Sequence, residues 1–453
     1  MYKTKTTFQK IRLLIRLLIP ILITQCGMYA MTFFDTVMSG HASAADLAGV
    51  AIGSNIWMPV YTGLSGILLG LTPILSQLIG AKETNPIPGK LHQALYLSVT
   101  IAIILFGIGS LVLEPLLNQM GLSRQVHDIA WRYLVALSAG IIPLFAYNVL
   151  RGFIDAHGLT RLSMLISLLG LPINALFNYL FIFGKWGAPK LGGVGAGVAT
   201  AITYWMIMAI AIICIITLKD FHHYQVFRKL PRPSFLAWKE LLKLGLPIGF
   251  SVFFETSIFA VFTLLMSEYS TIIVAAHQAA LNFASFLYMV PMSVSMALTI
   301  AVGFEAGGRR YSEARTYSFI GIGIAILFAL FFAFILLRFN QPISRLYSTD
   351  PQVLRMASHF LVFAIFFQLS DAIQAPIQGS LRGYKDVNIT FVMTLISFWL
   401  IGLPVGIFLA HKTSLGPYGY WIGLITGLAV GAVTLFIRLI AVQKRFSLLQ
   451  EKG

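Results

Sequence analysis

The sequence predicts an all-α polytopic membrane protein: about 12 transmembrane helices in two pseudo-symmetric six-helix lobes around a central cavity. Three observations predict it. The composition is too apolar for water, apolar runs of spanning length recur along the chain, and the second half repeats the first.

Composition comes first. Of 453 residues, 58% are hydrophobic and 11% charged, with a mean hydropathy of +0.83. A soluble domain carries roughly 25% charged residues. A chain of this size could not hide so much apolar surface from water. The net charge of +16 would suggest nucleic acid in a soluble protein. Here the basic residues sit in short loops between apolar runs, so they read as topology signals and no nucleic-acid partner is expected. Cys26 and Cys214 lie inside apolar runs and read as packing residues. The run from Leu13 to about Val37 is too long for the core of a signal peptide and lacks a cleavage site, so it reads as the first span.

Spanning runs fall at roughly 12–40, 46–80, 91–117, 126–156, 160–184 and 193–218. A second set falls at 238–269, 272–305, 314–338, 352–382, 387–410 and 417–443. This predicts an N-lobe over 1–218, a cytoplasmic linker over 219–237 and a C-lobe over 238–453. With twelve spans, one membrane side collects 24 of the 32 Lys and Arg and the other 8. The positive-inside rule then places both termini in the cytoplasm. The linker holds His222 and His223. A solvated loop is the preferred reading over a metal site, because no other ligand has suitable spacing.

The repeat has a fixed offset. Pro20 pairs with Pro247, Asn55 with Asn282, Gly80 with Gly307 and Gly152 with Gly379, each 227 residues apart. Six spans return the chain to its starting side. The repeats are therefore parallel, a geometry suited to alternating access around a cavity.

Three of the sixteen acidic residues lie deep inside spans: Asp35, Glu255 and Asp371. A charge at the bilayer centre costs at least about 2.5–3.5 kcal/mol, so such residues face a cavity or a partner. No Lys or Arg is expected at their depth, and a cation is the expected ligand: H⁺, Na⁺ or a cationic substrate. Asn174 and Asn178, four apart on one helix face, could turn their amide oxygens with Asp35 toward a proton or hard cation. They could equally be glue between helices. Gln278, Asn282 and Ser285 recur at helical spacing, with His277, Phe286 and Tyr288 nearby. Polar and aromatic groups together suit a flat amphipathic cation, and packing between helices is an equally good account. His277 alone is weak evidence. No phosphate-binding loop and no H-E-x-x-H is present, nor a nucleophile–base pair. An ion gradient rather than ATP or catalysis is expected to supply the energy, with no cofactor.

At these residues the chain resembles the multidrug and toxic compound extrusion (MATE) transporters, specifically the NorM branch. The resemblance rests on Phe34-Asp35-Thr36-Val37-Met38-Ser39-Gly40, Pro172-Ile173-Asn174 with Asn178, Glu255, Ala276-His277-Gln278 and Asp371, and it runs over essentially the whole chain. It implies a twelve-helix antiporter that expels cationic drugs and dyes in exchange for Na⁺ or H⁺. Glu255 and Asp371 would be the C-lobe cation site, the only place where Na⁺ is expected. Asp35, Asn174 and Asn178 would be the N-lobe polar site. Gln278, Asn282, Phe286 and Tyr288 are expected to line the substrate cavity. Asn in place of a second Asp in the N-lobe patch departs from the DinF-type branch and leaves the coupling ion open. A monomer in the plasma (inner) membrane is expected. The rival readings are a lipid-linked oligosaccharide flippase of the same superfamily, whose anionic substrate would want a basic cavity, and an integral-membrane enzyme.

Overall fold

A computed structural model describes residues 3–227, 231–345 and 350–451. Arg228 and Lys229 of the linker lie outside the described residues. Everything regular among those described is helical. In chain order the helices are α1 (Thr7–Ala42), α2 (Ala44–Leu68), α3 (Leu71–Ala81), α4 (Ile87–Gln119), α5 (Arg124–Ser138), α6 (Ile141–Ala156), α7 (Thr160–Phe183), α8 (Gly193–Thr217) and the short α9 (Lys219–His222). Then come α10 (Phe235–Met266), α11 (Thr271–Gly307), α12 (Tyr311–Ser344), α13 (Pro351–Gly383), α14 (Asn388–Leu395), a π-helical stretch (Ile396–Gly402), α15 (Leu403–Lys412) and α16 (Pro417–Glu451). Among the described residues, eleven stretches are long and apolar enough to span a bilayer, and α5 with α6, bent by 49°, makes a twelfth. The chain is thus a multi-pass helical membrane protein.

The bend has a local cause. Gly140 follows α5, and a Cβ there would lie 2.7 Å from the Cα of Ala201. Only a glycine lets α8 approach so closely.

The chain forms two compact units, and they do not follow chain order. Unit 1 comprises Met1–Leu22, Ser76–Lys82 and Phe250–Gly453; unit 2 comprises Ile23–Leu75 and Glu83–Gly249. Two helices change unit along their length, α1 after Leu22 and α10 after Gly249. Those positions are again 227 apart (249 − 22), each two residues beyond a repeated proline, Pro20 or Pro247. An internal proline removes one backbone hydrogen bond and permits a kink there.

Unit 1 packs α11 against α12 and α13, and α16 against α13, α15 and the π-helical stretch. The start of α1 joins it through buried Leu14, Leu17 and Leu18. The end of α3 joins it through the repeated glycine pair: a Cβ on Gly80 would overlap the Phe304 carbonyl, and one on Gly307 would overlap Gln77. Unit 2 packs α7 on α8, α5 on α2 and α8, and α6 on α4 and α8. Its share of α10 crosses α2 through two facing glycine pairs. Gly66 meets Gly249 and Gly70 meets Gly245, with built Cβ distances of 2.8 and 2.9 Å. Each pair is spaced four apart, the small-xxx-small pattern by which membrane helices bring their backbones together.

Candidate functional site

Asp35, Asn174 and Asn178 converge in unit 2. Asp35 is 5% exposed, and both asparagines are wholly buried. Asn174 Nδ2 donates to Asp35 Oδ1 at 3.1 Å and Asn178 Nδ2 donates to the same oxygen at 2.6 Å. Thr200 Oγ1, on α8, donates to Asp35 Oδ2 at 2.8 Å and accepts from Asn174 Nδ2 at 3.1 Å. Asn178 Nδ2 also reaches Asn174 Oδ1 at 3.1 Å. The amides present nitrogen to Asp35, not the oxygens expected from the sequence. A carboxylate only accepts hydrogen bonds, so a neighbouring neutral amide turns its NH₂ toward it. Asn178 Oδ1 is buried without a hydrogen-bond partner. Tyr133 and Tyr204 lie within electrostatic reach of Asp35.

Glu255 and Asp371 converge in unit 1. Gln374 Nε2 donates to Glu255 Oε1 at 3.1 Å and Gln378 Nε2 donates to it at 2.5 Å. Asp371, Gln374 and Gln378 are all under 6% exposed and lie three and four residues apart along α13, on one helix face. Asp371 and Glu255 act on each other electrostatically, and Asp371 Oδ2 is buried without a hydrogen-bond partner. The Trp399 indole N–H, in the π-helical stretch, donates to the Phe254 carbonyl at 3.1 Å and fixes α10 beside Glu255. π-helical stretches recur at functional sites.

Arg382 corrects one expectation from the sequence, where it counted as a loop residue. It sits in the last turn of α13, and its Nη2 donates to Gln378 Oε1 at 3.4 Å. Its charge reaches Glu255. The reason is the direction of helical side chains, which lean toward the helix N-terminus and cover the preceding turn.

The expected cavity residues on α11 divide. Tyr288 faces the acids, within electrostatic reach of Glu255, Asp371 and Arg382. Gln278, Asn282 and Phe286 follow at four-residue spacing on another face, and Phe286 is 49% exposed. The geometry brings only Tyr288 of these four to the acids. His277 is wholly buried, shares a hydrogen bond with Thr263 at 3.1 Å and packs against Phe360 and Trp421. Thr200, Gln374 and Gln378 were missed by sequence reasoning. A signal existed for the glutamines: Asp371-x-x-Gln374-x-x-x-Gln378 is a polar stripe in an otherwise apolar span. Among the described residues no group of three or more His, Cys, Asp or Glu could hold a metal ion. Both cysteines are free thiols.

Two polytopic units, each with buried carboxylates and amide donors, define the class as an α-helical membrane protein with polar sites inside its spans. The family model MatE matches residues 20–180 and 247–408. The chain is 56% identical over 447 residues to the "Probable multidrug resistance protein NorM" of Bacillus subtilis (strain 168), covering 99% of each chain. It is 55% identical to the protein of that name from Halalkalibacterium halodurans, covering 98% of this chain and 97% of the other. The crystal structure of the Vibrio cholerae MATE transporter VcmN in the bent form shares the fold, with a TM-score of 0.87 at 19% identity over 98% of this chain and 99% of that one. The chain belongs to the MatE family, with relatives of the NorM branch.

Proposed function

We propose that the protein is a cation-coupled multidrug antiporter, exporting organic cations by alternating access in exchange for Na⁺ or H⁺. The observation that carries the reading is the Glu255–Asp371 pair: two carboxylates within reach of each other, one oxygen buried without a partner, and no ion pair to either among the described residues. Buried negative charge left uncompensated is costly, so a proton or metal cation is drawn there. The names of the relatives support drug export.

Drug and coupling cation compete for the same negative charge. A cation at Glu255 and Asp371 weakens the hold on a cationic drug, and by linkage the drug weakens the cation by the same factor. Asp35, with Asn174 and Asn178, forms a second polar site that binds a proton or cation in the other unit. Gln278, Asn282, Phe286 and Tyr288 contact the drug. We place the protein in the plasma (inner) membrane as a monomer with both termini cytoplasmic, acting as a transporter and not an enzyme.

The test is ethidium export from vesicles holding purified protein, with an inward Na⁺ or an inward H⁺ gradient imposed separately. Export driven by either gradient supports the reading, and the gradient that works identifies the ion. Absence of export under both would sink it.

A further inference from the structure

The turn that ends α13 holds a lysine in a glycine's conformation. Lys385 has φ +62°. Its N–H bonds to the Arg382 carbonyl, and the Asp386 N–H bonds to the Leu381 carbonyl, each at 2.9 Å. Helices that end this way usually place glycine at the left-handed position, because a Cβ is strained there. The first repeat does so: Gly158, 227 residues earlier, has φ +78° and closes the end of α6 with the same pair of bonds. Strain alone does not single out this turn, since Lys82 and Arg309 are also left-handed. What singles it out is the cavity beside it.

That cavity, of about 190 Å³, is lined by Tyr384, Lys385, Asp386, Arg438, Arg445 and Phe446 among others. It exceeds the roughly 30 Å³ share of one water severalfold. Arg438 grips both oxygens of Asp386, at 2.7 and 2.8 Å, and so holds the α13–α14 turn against α16. The Tyr384 and Phe446 rings stack at 5.4 Å as an apolar wall. Three cations against one carboxylate leave a surplus of two positive charges in the lining.

The surroundings are apolar and open. A span needs about 20 residues, so α16, starting at Pro417, reaches the hydrocarbon boundary near Arg438. Before that point α16 exposes Val433, Ile437 and Ile440; alongside, α14 exposes Ile389 and Val392. These are the faces that lipid tails would cover. The cationic cavity opens where those faces end.

We propose that this cavity binds the headgroup phosphate of an anionic phospholipid, with its acyl chains lying along α14 and α16. The charge complements a phosphate, the fork of Arg445 suits its oxygens, and the apolar faces suit the tails. A free phosphate shares the headgroup chemistry but not the tails.

The test uses the purified full-length protein, stripped of lipid in detergent. Native mass spectrometry counts retained phosphatidylglycerol and phosphatidylcholine, and thermal unfolding is followed on adding either lipid or inorganic phosphate. Lys385→Gly removes the charge while relaxing the turn, so its folding is secure. Arg445→Gln removes the second charge, and Lys412→Gln, beyond the other end of that span pair, is the control. Wild type and the control should prefer phosphatidylglycerol. Each substitution should weaken its retention about fivefold and the pair about twenty-five-fold. Equal retention by the double variant, or equal binding of the two lipids, overturns the proposal. An equal thermal shift from inorganic phosphate alone overturns the lipid assignment and leaves a small-anion site.

Discussion

In unit 2, both oxygens of Asp35 accept from neutral donors, two amides on one and a hydroxyl on the other. In unit 1, two carboxylates share fewer donors. Glu255 Oε1 accepts from two glutamines while Asp371 Oδ2 has no partner. Hydrogen bonds to the charged form stabilise a carboxylate without neutralising it. Asp35 can therefore persist as an anion in its pocket. The Glu255–Asp371 pair adds mutual repulsion to burial, and neutral donors do not remove that. The difference supports assigning the tighter coupling to unit 1.

The largest expected effect breaks the comparison directly. Asp371→Asn should reduce gradient-driven ethidium efflux to background, while Asp35→Asn should leave a measurable Na⁺-driven or H⁺-driven component. Equal loss in both variants would remove the asymmetry, and retention in Asp371→Asn would show that the coupling role lies elsewhere. Next is Gln378→Ala, which deletes the 2.5 Å donor to Glu255 and the bridge to Arg382. Groups that orient a ligand in this way are worth about 10–100-fold in cation affinity. The concentration of coupling ion giving half-maximal efflux should rise by that order, with the maximal rate kept.

Thr200→Val is smaller. It removes the donor to Asp35 Oδ2 at nearly constant volume. A hydrogen bond to a charged group contributes about 1.5–3 kcal/mol, so the thermal midpoint of the detergent-solubilised protein should fall, and Asp35→Asn in the same background should show non-additivity.

The smallest effect lies at the equivalent helix ends. His157 follows α6 where Tyr384 follows α13 (384 − 157 = 227). Burial lowers His157 to about 4, against the pull of its bond to the Phe153 carbonyl. Its Nε2 meets the Tyr224 hydroxyl at 2.9 Å. The unfolded chain takes up this proton near the ordinary 6.5, the folded chain only near 4. The stabilisation is thus complete above pH 6.5 and is lost as pH falls from 6.5 toward 4. His157→Gln should flatten the pH dependence of the thermal midpoint in that window, and an unchanged slope would reject the assignment.

Much of this was legible in the sequence because the bilayer imposes a simple code. Spans must be apolar and about 20 residues long, so twelve runs could be counted and deep acids stood out. The repeat located Pro20 with Pro247 and Gly80 with Gly307 before any coordinates. Partners were less legible. Thr200 is one of many threonines in apolar runs, and nothing along the chain says that it meets Asp35, 165 residues away.

The sequence by itself determined the helical class, the spans, the repeat and the residues that carry buried charge, because these follow from local composition and period. The tertiary structure alone decided the units, drawing Ser76–Lys82 and Met1–Leu22 together with the later residues. It alone turned the asparagine nitrogens toward Asp35 and folded Arg382 back toward Glu255. The physical reason is that an acid in lipid takes whichever donors packing brings within about 3 Å, and that distance is set by helices far apart in the chain.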